Sequence, residues 1–329
     1  GIDVVLDLTD MDTLPVLAAT DAEGVSYVCT SLNDRRQTAI SLIDSLFTTR
    51  EKKRRAPHIL CSGMNPGVVN SWVYHGVKRY GVPRAIVHFE YDTSSPGDGW
   101  RPIMTWSRRE FLTEIAWERT GMVVDGKPVL LATNAMANRK DMRSILRPVL
   151  PLGSYPRGYL VLHEENLTLG QRLGVSSQFI YAIHPKTMAY MSRKAARKGR
   201  LQIADFEIGD NKSIPLEGSD TIGVYLDYPR KRVYYLHSLA NSAAQGANAT
   251  CTQVAVGVYA ALFTLLREKL EPRVYFVCDL YDTVYPRVVF YNMRVEHFVF
   301  TKWKKSLILR QHISSLRPRI PRGGEQFVI

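Results

Sequence analysis

Over residues 1–90, short apolar runs alternate with amphipathic stretches of two to four helical turns. The runs are Val4–Leu8, Val25–Cys29, His58–Cys61 and Ala85–Phe89, and the stretches between them are Asp12–Thr20, Arg36–Phe47 and Pro66–Tyr80. A chain written this way folds most simply as a parallel sheet with right-handed helical crossovers. Ligands of such sheets sit beyond the carboxyl ends of the strands. The residues found there are Asp7, Thr9 and Asp10, then Thr30, Asn33 and Asp34, then Gly63 and Asn65, and last Glu90. Ser62–Gly67 has the composition of a strand-to-helix junction: Gly63 for a tight turn, Asn65 as a cap, Pro66 at the first helical position and Gly67 for close approach of a ligand. A helix N-terminus at that point favours a carboxamide or phosphate oxygen.

After residue 91 the texture changes. A hairpin is expected around Asp125-Gly126, strands at Tyr159–His163 and Gln178–Ile183, and a helix at Lys186–Lys198. A second hairpin joins Gly223–Tyr228 to Arg232–Leu236, and Asn248 opens the longest helix, Thr250–Leu270. The expected organisation is a parallel α/β part over 1–91, an α+β part with a mostly antiparallel sheet over 92–278, and a helix over 279–294 that returns to the first part. The basic stretch 295–329 is assigned no element.

His88–Glu118 joins the two parts. It delivers Glu90 at a strand end, passes through a Pro/Gly/Ser loop, and reaches Trp106 and a helix over Arg109–Glu118 that carries Glu114. Two carboxylates and an indole suit a small, partly apolar cation: carboxylates give charge-assisted hydrogen bonds, and an indole face attracts a cation by about 0.5–2 kcal/mol. Lys and Arg number 43 against 31 Asp and Glu, but the excess lies in runs at 51–55, 193–200 and 302–322 that read as solvated faces. No nucleic-acid or membrane partner is expected. Cys29, Cys61, Cys251 and Cys278 lack metal-ligand spacing and read as reduced, buried, cytoplasmic thiols; no metal is expected. Val254–Leu266 is too short an apolar window to span a bilayer.

Taken together and in order, these segments resemble homospermidine synthase, of the saccharopine-dehydrogenase-like enzymes. The family's GxNPG junction resembles Gly63–Gly67, its ERDT Glu90–Thr93, and its TWS followed by Glu the Thr105–Ser107 segment with Glu114. Its HNE is similar to His163–Glu165, its YHP to Ile183–Pro185, and its NATSLQV to Asn248–Val254. The resemblance implies a partial Rossmann-type sheet, bound NAD, and a cytoplasmic homodimer. It also implies oxidation of putrescine to an imine, Schiff-base formation with a second diamine, and return of the hydride. In these terms Trp106, Glu90, His163 and Glu165 are catalytic, with Trp106 shielding an iminium and His163 shuttling a proton. Glu114, Asn65 and Asp10 hold substrate, and Gly63, Asn65, Pro66, Gly67 and Thr9 meet the cofactor. The chain starts at Gly1 and has no GxGxxG, so the glycine-turn half of the nucleotide domain is expected to be missing. The family's acidic residue after the second strand is replaced by Asn33 or Asp34. A sister reductase acting on a carboxylated substrate would need a cation at the site, for which Arg101, Arg108 and Arg109 are available.

Overall fold

In the computed structural model, residues 1–244, 246–304 and 306–316 are described. The parallel sheet forms as expected from Val4–Asp7, Ser26–Cys29 and His58–Leu60, in that spatial order, with helices Thr13–Ala22 and Ala39–Thr49 in the crossovers. Its fourth strand is Val274–Phe276, which pairs in parallel with His58–Leu60. The expected fourth strand, Ala85–Asp92, belongs elsewhere. It is central in a ten-stranded sheet, parallel to Ser176–Ala182 on one side and antiparallel to Ser219–Asp227 on the other. A continuous apolar run is buried on both faces in either location, so its own residues do not choose the partner.

The large sheet runs on through Lys231–Ala240 to Glu296–Trp303 and Ser306–Ile313 at one edge, and through Arg157–Val161 to Arg139–Asp141 at the other. The stretch after 295 thus supplies two strands where the sequence suggested none; residues 317–329 lie outside the described residues. The hairpin Gly121–Val124 and Lys127–Leu130 turns at Asp125-Gly126 as expected.

Glu164–Leu173 is a helix that strand-like flanks concealed. Glu164 and Glu165 occupy its first turn, where acids favour the helix dipole, and Gly174 (φ 66°) ends it in the left-handed region. The helix expected from residue 279 begins at Tyr285 and packs on Val68–Tyr80 and Ala249–Arg267. Asn248 caps Ala249–Arg267 by accepting from the Cys251 N–H at 2.8 Å. This helix is 19 residues long and its most apolar 18-residue window has mean hydropathy 1.6, so by length and composition alone it could cross a membrane; it extends on both sides of the Val254–Leu266 window read from the sequence. Here it packs on Tyr285–Asn292 and on both strands of the Ser219–Ala240 hairpin.

The segment from Arg109 divides. Arg108–Leu112 is α-helical, with the Ser107 hydroxyl accepting from the Glu110 N–H, and Thr113–Trp117 is a π-turn. π-turns recur at functional sites because the extra residue re-aims side chains. Cys29, Cys61 and Cys278 are buried, whereas Cys251 is exposed.

Candidate active site

Beyond the carboxyl ends of the parallel strands, between them and one face of the large sheet, lies a cavity of about 590 Å³. Its apolar lining comes from Leu32, Ile40 and Ile43 and from Val254, Val258 and Leu262 of the long helix. The same cavity is lined by Asp10, Glu90, Glu110, Glu114, Glu118 and Glu164, with Arg119 as the one Lys or Arg. The Arg119 Nε donates to the Leu131 carbonyl. The lining is thus rich in carboxyl groups, with one arginine and the His163 ring among them.

Most of the expected residues line this cavity: Thr9, Asp10, Gly63, Asn65, Pro66, Glu90, Trp106, Glu114 and His163. Two do not. Gly67 sits behind the turn, at φ 133°, where a Cβ would lie 2.2 Å from the Gly63 carbonyl oxygen. It is needed for closing the turn, not for approach of a ligand. Glu165 is fully buried behind His163 and holds that ring instead of facing the cavity.

Asn65 does not cap its helix, which starts at Val68 behind Gly67. It turns inward, and its Nδ2 donates to Glu90 Oε2 at 2.6 Å. Glu90 is 4 % exposed, and burial together with the Asp220 carboxylate raises its pKa well above the carboxylate range. Burial and the neighbouring carboxylate thus favour its protonated form.

His163 lies between two carboxylates, with Nδ1 2.6 Å from Glu165 Oε2 and Nε2 3.4 Å from Glu114 Oε1. Burial alone would lower its pKa; the two carboxylates outweigh burial and raise it well above the usual imidazole value. The two flanking carboxylates thus favour the charged form of the ring.

Trp106 is half-buried. Its Nε1 donates to the Tyr181 hydroxyl at 3.2 Å, and its ring meets Phe111 edge to face with centroids 6.1 Å apart. Asp10 accepts from the Ser107 hydroxyl at 3.0 Å, close to the same turn. Thr9 is exposed and its hydroxyl donates to Asp7. Asn33 and Asp34 part ways: the Asn33 amide, oriented as its neighbours require, donates to Glu110 Oε2 at 3.0 Å, while Asp34 is absent from the cavity lining and accepts from Gln37 and the Arg36 N–H.

Several site residues escaped the sequence. Glu110, four residues before Glu114 on one helical face, was a legible signal. Burial and then the Glu114 and Asp10 carboxylates raise its pKa to about 7. Glu164 is raised to about 8, chiefly by burial and then by Glu165, and accepts from the Thr168 hydroxyl at 2.7 Å. Tyr181 is brought in by strand pairing opposite Glu90, which no local pattern announces.

No family model and no curated protein matches this sequence. Among solved structures, the chain is similar to apo histidine-tagged saccharopine dehydrogenase (L-Glu forming) from Saccharomyces cerevisiae. Identity is 12%, coverage 90% of this chain and 84% of that one, and the TM-score 0.57. Weaker likenesses are to Corynebacterium (C.) glutamicum DAP dehydrogenase in complex with DAP (9% identity, 87% and 78% coverage, TM-score 0.35) and to amine dehydrogenase from Mycobacterium smegmatis (12%, 84% and 75%, TM-score 0.31). The first establishes a Rossmann-like dehydrogenase fold; the other two are too distant to argue from.

Proposed function

We propose that this protein is an NAD-dependent amine oxidoreductase of the homospermidine-synthase type. It would oxidise putrescine to an imine, join that imine to a second diamine and reduce the adduct. The observation that carries this reading is the lining: six acids, an indole and apolar side chains, with the one arginine donating to a backbone carbonyl and the His163 ring matched by Glu114 and Glu165. A linear diamine needs carboxylates at its charged ends and a water-poor middle. Glu90 with Asn65 would receive the reacting amine, Glu110 and Glu114 the distal one, and Trp106 would cover the iminium.

The residues at the parallel strand ends suit the nicotinamide end of NAD. Thr9, Thr30, Ser31 and Asn65 offer polar partners beside the apolar Leu32, Ile40 and Val258. When bound, NAD would take up and return a hydride. For its diphosphate the lining offers Arg119 as the one Lys or Arg and the Gly63–Gly67 turn before the helix at Val68 as the one glycine turn. The reductase reading for a carboxylated substrate, suggested by the saccharopine dehydrogenase likeness, meets an obstacle. Arg101, Arg108 and Arg109 are absent from the lining, Arg101 being paired with Asp98 and Glu207 and Arg108 donating to the Phe206 carbonyl.

Incubation with NAD and putrescine, followed by chromatography of the amines, tests the proposal. Homospermidine is the expected product; consumption of saccharopine and not of putrescine would reverse the assignment. Two further results are expected. Trp106→Phe keeps the edge contact with Phe111 but loses the Tyr181 hydrogen bond and part of the cation–π attraction. It should slow turnover by a few-fold to ~30-fold and raise the share of free aminoaldehyde. An unchanged product ratio with a steep fall in melting temperature would make Trp106 a packing residue. For Glu110, protonation below its pKa of about 7 removes a charge facing the amine. Diamine affinity should rise about fivefold from pH 6 to 8, as one charge-assisted contact forms. Calorimetry on Glu110→Gln should find that step gone.

A further inference from the structure

Behind the cavity floor, two buried carboxyls are joined through two hydroxyls. The Asp220 Oδ2 and Thr250 Oγ1 atoms are 2.8 Å apart, Thr250 Oγ1 and Thr105 Oγ1 3.1 Å, and Thr105 Oγ1 and Asp92 Oδ2 2.8 Å. Asp220 and Asp92 face each other across adjacent antiparallel strands, on the same side of the sheet as Glu90. Three hydrogen bonds in series need three hydrogens. Each hydroxyl has one, so the threonines supply two and a carboxyl has to supply the third. With both acids ionised, one link would set lone pair against lone pair; with both protonated, one hydrogen would be left without a place. The series is complete in two ways only: Asp220 protonated with every donor pointing towards Asp92, or the reverse. Passing from one to the other moves each of three hydrogens by one link and carries a net proton from end to end.

The two ends open on different spaces. Thr250 lines the main cavity beside Glu90 and Cys251. Asp92 and Thr105 border a second cavity of about 10 Å³, the room of a single water, together with Ser94, Tyr181 and His184. His184 is half-buried, and its Nδ1 is buried with no partner, as is Asp220 Oδ1 at the other end.

We propose that Asp220, Thr250, Thr105 and Asp92 share one proton and relay it from the floor of the main cavity, through the second cavity, to His184. The protein then has a proton exit separate from the substrate entrance. The role deepens the amine-oxidoreductase reading and rests on it: an ammonium group, R–CH2–NH3+, has to lose a proton before hydride can leave its carbon. With Asp220 protonated and Asp92 ionised, that proton goes to the Thr250 oxygen as the Thr250 hydrogen moves to Thr105 and the Thr105 hydrogen to Asp92; Asp220 keeps its own hydrogen on Thr250 and so sets the direction, and the hydrogen newly on Thr250 points at the amine it came from. Asp92 returns to its ionised form by releasing a proton through one water to His184. Burial raises the pKa of both acids, Asp220 the more, and the Ser94 and Thr105 hydrogen bonds oppose the rise at Asp92. The titratable groups around the pair are Glu90 on Asp92's own strand, Tyr181 on the next strand, His163 across the cavity, Cys251 on the long helix and, beyond the second cavity, His184 and Lys186.

Infrared difference spectra of the full, ligand-free chain near pH 7 test the shared proton without any substrate. Asp220→Asn and Asp92→Asn should each remove one protonated-carboxyl band, because the new amide N–H supplies the third hydrogen. Thr105→Ser should keep that band. Loss in only one Asn variant, or in neither, overturns sharing. In the amine reaction, Thr105→Val should lower kcat by about a hundredfold, the lower range for assisted proton transfer, with KM unchanged, and Thr105→Ser should restore it. Unchanged kcat in a folded Thr105→Val overturns the relay. No turnover of any amine by the parent protein ends the functional reading and the relay's catalytic role with it, while the infrared result still decides whether the proton is shared.

Discussion

Glu90→Gln is expected to lower kcat/KM for the diamine by two to three powers of ten while leaving the protein at least as stable as before. Removing one partner of a buried charge pair costs about 3–5 kcal/mol, and each 1.4 kcal/mol is tenfold. The glutamine retains a carbonyl oxygen for the Asn65 Nδ2 but has no charge for an ammonium group. The stability effect has the opposite sign. A carboxyl whose pKa is raised by folding binds its proton more tightly when folded, so it disfavours the fold increasingly as pH climbs above the unfolded value of about 4.3. Gln does not titrate, so the variant should match the parent at acid pH and gain on it as pH rises. Melting temperatures across pH 4–8, measured beside the kinetics, check both halves. A variant that keeps near-normal activity would remove Glu90 from the site.

His163→Gln should do the reverse to stability. Glu165 is fully buried; burial alone would raise its pKa, and the His163 imidazolium overrides this and lowers it. Losing the ring strands a buried carboxylate, for about 3–5 kcal/mol, which in a chain of this size is on the order of 10 °C in melting temperature. The imidazolium contribution, from a raised pKa, is fully present below about pH 6.5 and is lost as pH rises through the folded value. The Glu165 contribution, from a lowered pKa, is present above about pH 4.3 and is lost as pH falls through its folded value. The penalty in the variant is therefore greatest between these limits. The double change His163→Gln with Glu165→Gln should recover most of it, and a double variant as unstable as the single would show that the ring acts by packing alone.

The parallel strands, the Asp125-Gly126 hairpin and the start of the long helix at Asn248 were legible because each is set by neighbours in sequence: strand length, turn chemistry, a side chain three residues from the N–H that donates to it. The placement of Ala85–Asp92 in the larger sheet, and the return of Val274–Phe276 to the smaller one, depend on partners more than eighty residues away. The site follows the same division. Glu90, Trp106, Glu114 and His163 could be read from strand ends and short segments. The pairing of Asp92 with Asp220 follows from register across the sheet, and the location of Glu165 behind His163 from the helix Glu164–Leu173, which the sequence did not announce. The inward turn of Asn65 could not be read either, because a residue suited to capping a helix is equally suited to reaching a carboxylate.

The turn that carries Asn65 and the helix that carries Thr250 touch backbone to backbone: a Cβ on Gly257 would come within 2.0 Å of the Gly63 carbonyl oxygen. The Ser62 hydroxyl fastens the contact from behind, donating to the Gly257 carbonyl at 2.8 Å and meeting the Tyr285 hydroxyl. With no side chains between them to slide or repack, these two sides of the cavity move as one body. A ligand finds that half already shaped and loses little freedom in ordering it. Adjustment to the length of an occupant falls to the opposite side, where Glu114 rides a π-turn that one residue more or less would re-aim. Homologues that accept longer or shorter cations would accordingly differ in the Thr113–Trp117 segment and keep glycine at both 63 and 257.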